Sequence, residues 1–231
     1  MNTVVESLKR YGYIPGGGLL SPDGKYFLLQ IPKNASTFLG SALSTNGWLF
    51  SNLSHVKGDV TQLVALRDPV DRWLSGYATY AALHLFGWGY GSDHFIEEYS
   101  ASPLVEKIIF SKLVFDDHTA PQSMYTSQLN GDDDVVYFDC KKETLIDSLS
   151  KYTGFDITIT DSIMNNSRED NYDTKNLYEF FKAKLDAKSE YQEPINQEER
   201  YLKNISLRDR IKQIYKSDYT LIKRANFYYG T

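Results

Sequence analysis

Cysteine is nearly missing from this chain: Cys140 stands alone among 231 residues, so no internal disulfide is available and the fold must be held by its core. Basic residues are not in excess. Lys and Arg number 25 against 30 Asp and Glu, a formal charge of −5, which supplies no general field for nucleic acid or an anionic membrane. Any bound anion must therefore be held by local positive groups. Apolar runs never approach the ~20 residues that cross a bilayer, and the first residues are Met1-Asn2-Thr3 rather than a basic stretch leading into an apolar one. A soluble, cytoplasmic protein is the expectation. The Asn-x-Ser triplets at Asn34, Asn52, Asn165 and Asn204 then carry no glycan, because that pattern acts only in a secretory compartment.

Internal repeats and low-complexity linkers are missing too, and a chain of this length buries one substantial core, so a single domain over 1–231 is expected. Within it, Tyr26-Phe27-Leu28-Leu29-Gln30-Ile31 is preceded by the turn chemistry of Ser21-Pro22-Asp23-Gly24 and stopped by Pro32, which predicts a buried strand. From Ser36, expected as the N-cap, Phe38, Leu39, Ala42 and Leu43 recur at helical spacing. The pattern repeats at residues 62–66, an apolar run ending at Arg67, with Asp68 and Pro69 opening a helix through Trp73, Leu74 and Tyr77. It repeats again at residues 134–139, followed by helical spacing of Leu145, Ile146 and Leu149.

Strands alternating with helices predict an α/β fold, a central parallel sheet covered on both faces. Helical periodicity also marks the segment ending near Gln128, residues 177–185, and residues 205–222, where Ile211, Ile214, Tyr215 and Leu221 form an inward stripe. Gly16-Gly17-Gly18 does not complete G-x-G-x-x-G, since Ser21 occupies the last position, and reads as a turn. Phe86 to Gly91, with Trp88 and Tyr90, reads as a loop whose aromatics belong to the core or stack on a sugar or base.

Chemistry concentrates where the first strand meets its helix. Pro32-Lys33-Asn34-Ala35-Ser36-Thr37-Phe38 sets a cation, two hydroxyls and several backbone N–H groups at a helix N-terminus, where an anion is favoured. It is not the nucleoside-triphosphate loop: the glycines of G-x-x-x-x-G-K-[ST] are lacking, and Lys33 precedes the hydroxyls. Arg67 ends the next strand, near a helix carrying Ser75. In a parallel sheet both strand ends face one edge, where open α/β sheets bind ligands, so Lys33 and Arg67 can grip two ends of one polyanion.

These two segments resemble the sulfotransferases that use 3′-phosphoadenosine 5′-phosphosulfate (PAPS), and within them the carbohydrate enzymes related to heparan 2-O-, 6-O- and chondroitin sulfotransferases. Lys33 to Phe38 is similar to that family's 5′-phosphosulfate loop, and Arg67-Asp68-Pro69 through Ser75-Gly76-Tyr77 is similar to its 3′-phosphate element. The resemblance implies a P-loop-like three-layer sandwich and a transfer of sulfuryl to an acceptor hydroxyl, on a glycan. It implies that Lys33 contacts the bridging oxygen, that Asn34, Ala35, Ser36, Thr37 and Phe38 supply donors, and that Arg67 and Ser75 hold the 3′-phosphate. Ser167 and Arg168, in Asn165-Asn166-Ser167-Arg168, are similar to the family's loop over the nucleotide.

No metal is expected, because the sulfuryl group carries fewer charges to neutralise than a phosphoryl group. For the base, His55 in Asn52-Leu53-Ser54-His55-Val56 lies where several relatives carry a catalytic histidine, and its unperturbed pKa suits the task. Its rival is His118, in Asp116-Asp117-His118-Thr119-Ala120-Pro121-Gln122, which resembles the Asp-x-His-x-x-Pro-Gln segment of the chondroitin-type enzymes; His118 and Gln122 are assigned to the acceptor side. Two other functions fit the same cradle: a P-loop-like nucleotide kinase, for which Mg²⁺ ligands are not found, and a protein that binds PAPS or its product PAP without transfer.

Overall fold

A computed structural model describes residues 16–85, 91–129, 134–160, 172–188 and 204–228. Trp88, Tyr90, Ser167 and Arg168 lie outside them. The described residues fall into two compact units, one drawn from Met1–Asp68, Pro121–Ser167 and Thr220–Thr231, the other from Pro69–Ala120 and Arg168–Tyr219.

The first unit is built on a five-stranded sheet. Its strands are β1 (Gly17–Leu20), β2 (Tyr26–Leu29), β3 (Leu49–Asn52), β4 (Thr61–Leu66) and β5 (Val135–Asp139), in the order β3-β1-β2-β4-β5. β2, β4 and β5 pair in parallel, as their apolar runs predict, with Leu28 beside Leu63 and Leu63 beside Val136. The expectation of a parallel sheet is corrected at the other side, where β1 runs antiparallel to both β2 and β3. The sheet is mixed.

The reading of Gly16 to Gly18 as a turn is corrected as well. Gly16 turns with φ +73°, but Gly17 and Gly18 are in β1. Gly18 has a steric reason: a Cβ there would run into the Leu28 carbonyl oxygen and the ring of Phe27. The aromatic ring thus covers a strand position that only glycine can fill.

Two helices of this unit carry apolar stripes to the sheet, α1 (Ser36–Thr45) through Phe38, Leu39, Ala42 and Leu43, and α6 (Lys142–Thr153) through Leu145, Ile146 and Leu149. They share a core with Leu19, Leu28, Leu63, Ala65 and Phe138, the side chains of one sheet face. Each fully buried Leu or Phe contributes about 1.5–3 kcal/mol. On the opposite face Phe27, Leu29, Val64 and Leu66 are equally buried, the two-sided burial that makes strands of a parallel sheet read as continuous apolar runs. Beyond β5, Phe227 bridges in parallel to Tyr137, and the Tyr228 N–H donates to the Tyr137 carbonyl at 2.8 Å.

The second unit is helical. It holds α2 (Pro69–His84), α3 (Ser92–Ala101), α4 (Pro103–Lys112), α7 (Tyr172–Lys184) and α8 (Leu207–Ile214), while α5 (Gln122–Thr126) belongs to the sheet unit and α9 (Lys216–Arg224) runs across the division. α2 begins at the proline that its sequence marks as the first helical position. Trp73 and Tyr77, one turn apart, stack at 5.0 Å, and Phe181 of α7 meets Tyr77 edge-on at 4.8 Å. The single helix expected over residues 205–222 is broken at Tyr215. Its stripe is inward at Ile211 and Tyr215, both fully buried, whereas Ile214 and Leu221 are half-buried. No helix of the described residues is long and apolar enough to cross a membrane.

Candidate anion-binding site

β2 ends at Leu29, two residues earlier than its apolar run, and Gln30 to Ala35 form the connection to α1. The connection is conformationally costly. Lys33 has φ +71° and Ala35 φ +56°, left-handed values that cost a residue with a side chain about 1–2 kcal/mol each. Left-handed residues in a strand-to-helix connection are a backbone feature of the concavities that receive anions, and here the Asn34 N–H between them donates to the Ile31 carbonyl at 3.1 Å. Ala35, not Ser36, is the N-cap, and no side chain caps the helix. That corrects the sequence expectation. Ser36 becomes the first helical residue, so the N–H groups of Ser36, Thr37 and Phe38 are the three that have no acceptor within the helix.

Lys33 and Asn34 are each only 2% exposed, while Ser36 is half-buried and Thr37 exposed. Asn34 anchors the loop: its Nδ2 donates to the Ala65 carbonyl at 2.7 Å and to Gln122 Oε1 at 2.5 Å. With the nitrogen fixed by two acceptors, Asn34 Oδ1 is left buried with no donor. An orphaned acceptor costs about 1–3 kcal/mol. Strained backbone and an unsatisfied polar atom in one loop are the usual marks of a place shaped for function rather than for stability.

Arg67 lies at the carboxyl end of β4, the parallel neighbour of β2, and is half-buried. Its Nη1 donates to the Lys33 carbonyl oxygen at 3.2 Å. The two cations named from the sequence therefore share one sheet edge and one hydrogen bond. The parallel pairing makes this possible, because it puts both strand-to-helix connections at the same end.

Gln122, which the resemblance assigns to the acceptor side, is hydrogen-bonded to both cation-bearing segments. It is completely buried, its Oε1 accepts from the Arg67 N–H at 2.9 Å as well as from Asn34, and its Nε2 donates to the Arg67 carbonyl at 2.8 Å. A side chain so enclosed joins the two loops. Nothing in the sequence near Gln122 announces this, since its partners are 88 and 55 residues away.

His55 closes a short 3₁₀ turn (Leu53–His55) after β3, and is exposed. Asn52 caps that turn, its side chain accepting from the Ser54 N–H. In the strand order β3 is separated from β2 by β1, so His55 stands two strands away from the Lys33 loop.

Ser75 and His118 belong to the helical unit. Ser75 is half-buried on α2. His118 sits in a tightly built turn: its Nδ1 lies 2.7 Å from Asp116 Oδ2 and 3.0 Å from Asp117 Oδ1. Asp116 is itself held, its Oδ1 accepting from the Thr119 N–H and hydroxyl, both at 3.1 Å. The fully buried Arg72 donates to the Ala120 carbonyl at 2.5 Å, and the Tyr215 hydroxyl donates to the Thr119 carbonyl. Burial raises the Asp117 carboxyl, but hydrogen bonds and charge from His118 outweigh it, leaving the group below its ordinary value.

A carboxylate on Nδ1 holds an imidazole in one orientation and favours the tautomer with its lone pair on Nε2, as a proton acceptor requires. Asp116, Asp117 and His118 are also the one group among the described residues with three metal-type ligand atoms close together, within 4.8 Å. Asp116 there already spends its oxygens on Thr119 and His118. Comparison with family models, with curated proteins and with solved structures finds no match for this chain.

Proposed function

We propose that this protein transfers the sulfuryl group of PAPS to an acceptor hydroxyl, on a carbohydrate, and that its sheet unit is the P-loop-like core of such an enzyme. The observation that carries the reading is the Lys33–Arg67 pairing. Two cations on neighbouring parallel strands, one beside a helix N-terminus and the other hydrogen-bonded to the same loop, suit a nucleotide with two separate anionic groups. PAPS has that form, with a 5′-phosphosulfate for the Lys33–Phe38 loop and a 3′-phosphate for Arg67. Ser75, Ser167 and Arg168 join the donor contacts through the family resemblance alone.

In the proposed reaction the acceptor oxygen forms its bond to sulfur as the bond between sulfur and the bridging oxygen breaks. The electron pair of that bond stays on the leaving 5′-phosphate of PAP, where Lys33 offsets the growing charge, and the acceptor proton passes to a histidine. His55 is the proposed base. The Asp116–His118 pair favours a second reading in which His118 takes the proton.

The test is incubation with sulfur-labelled PAPS and glycan, lipid and phenolic acceptors, for wild type, Lys33→Ala, His55→Ala and His118→Ala. Label should reach a glycan, and Lys33→Ala should lower the rate by roughly 10²–10³-fold, as loss of a charge-stabilising group does. Whichever histidine variant retains full rate is not the base. Turnover of ATP with Mg²⁺ in place of PAPS would mean a nucleotide kinase, and tight binding of PAP with no transfer would mean a binding protein.

A further inference from the structure

We infer that Gln122 is a positioning residue that locks the Lys33 loop and the end of β4 into one two-cation grip, and that the locked pair, rather than either loop alone, selects ligands with two anionic groups. The inference rests on the donor reading above and adds to it the origin of the selectivity.

The connections form a closed ring. Gln122 Oε1 accepts from Asn34 Nδ2, and the Asn34 backbone leads to Lys33, whose carbonyl accepts from the Arg67 guanidinium. The Arg67 backbone then returns to Gln122 through both its N–H and its carbonyl. Holding both backbone groups of Arg67 fixes the direction in which its side chain leaves the strand. Holding Asn34, which lies between the two left-handed residues Lys33 and Ala35, opposes the relaxation that their strain would otherwise drive. Neither loop can shift without moving the other.

The chemistry requires an amide. One oxygen must accept from two N–H donors while the nitrogen on the same carbon donates to a carbonyl, which a carboxylate cannot do and a thioether cannot begin to do. Complete burial removes water as a substitute for any of these partners. Two anion positions held at a fixed separation bind a ligand that spans them with less ordering cost than two independent ones, so the ring converts two weak contacts into one selective site.

The experiment is calorimetric titration of the full chain with adenosine 3′,5′-bisphosphate and with 5′-AMP, alongside a melting temperature for each variant. Wild type should prefer the bisphosphate by roughly tenfold or more, the value of one charge-assisted contact. Gln122→Met should bring that ratio close to one. Asn34→Ser, which opens the ring from its other side and guards against a Gln122 variant that does not fold, should do the same. Leu149→Ala, a core cavity in the same unit, should lower the melting temperature and leave the ratio unchanged.

A Gln122→Met or Asn34→Ser protein that melts lower yet keeps the wild-type ratio overturns the inference and leaves the donor reading standing. Wild type that binds neither nucleotide removes the donor reading, and the inference with it.

Discussion

The Arg67 guanidinium donates to the carbonyl oxygen of Lys33 at 3.2 Å, although 34 residues separate them. Two parallel strands, β2 and β4, bring both strand ends to one edge, and the contact joins the two cations that the sequence marks as anion ligands. Arg67→Met should weaken binding of adenosine 3′,5′-bisphosphate by roughly ten- to hundredfold, the loss of a hydrogen bond to a charged group worth about 1.5–3 kcal/mol. The effect on 5′-AMP should be much smaller. Titration of both nucleotides checks this, and equal losses would place Arg67 away from the 3′-phosphate.

Gly76 on α2 faces the His118 turn so closely that a Cβ would overlap the His118 carbonyl oxygen and its carbon. That obstacle is backbone and cannot rotate aside. Gly76→Ala should therefore destabilise the protein by ~1–3 kcal/mol, even though alanine is the better helix former. Chemical denaturation gives the value, and a gain in stability would contradict the close approach.

Arg72 is buried on the same helix and supplies hydrogen bonds to the Ala120 carbonyl and, at 3.5 Å, to that of Asp117. Arg72→Met preserves much of the volume and removes these donors, so the Ala120 carbonyl is left unsatisfied at a cost of ~1–3 kcal/mol. Arg72→Lys should not restore the stability, because a single ammonium cannot reproduce the planar fork. Thermal melting of both variants tests the point. A lysine variant as stable as wild type would show that charge alone matters.

Asp117 titrates below its ordinary value of 3.8, since the hydrogen bonds and charge of His118 outweigh the upward push of burial. For a carboxyl with a depressed folded pKa, the stabilising contribution is present above the unfolded value and is lost as pH falls through the folded one. Asp117→Asn should therefore flatten the acid limb of the stability curve below pH 3.8 and change the slope little near neutrality. Unfolding followed across that range measures it. An acid limb of unchanged slope would rule out the His118–Asp117 contact as its source.

Much of the sheet unit was legible in the sequence because its strongest signals are local. β2, β4 and β5 are buried on both faces and read as apolar runs, and α1 and α6 repeat their apolar residues at helical spacing. β1 and β3 escaped because nothing local marks them. Gly17 and Gly18 are poor strand formers, Leu49 to Asn52 is four residues long, and both strands depend on pairing with distant segments, β1 with β2 and β3, and β3 with β1.

The candidate site divides along the same line. Lys33, Ser36, Thr37 and Arg67 could be named from one sequence because a cation at a strand end and hydroxyls at a helix start have a readable chemistry. Ala35 as the cap, Asn34 as the loop's anchor and Gln122 as the link between loops could not. The cap depends on a left-handed φ that a non-glycine residue does not advertise, and the other two depend on partners in distant parts of the chain.

By itself, then, the sequence determined which segments form the parallel strands and their helices and where the positive groups end up along them, since hydrophobic period and capping chemistry act over a few residues. Tertiary structure alone decided the reversed direction of β1, the pairing of Arg67 with Lys33 and the enclosure of Gln122. Those features come from hydrogen bonds between groups tens of residues apart, whose free energy is realised only once the core has brought them together and excluded water.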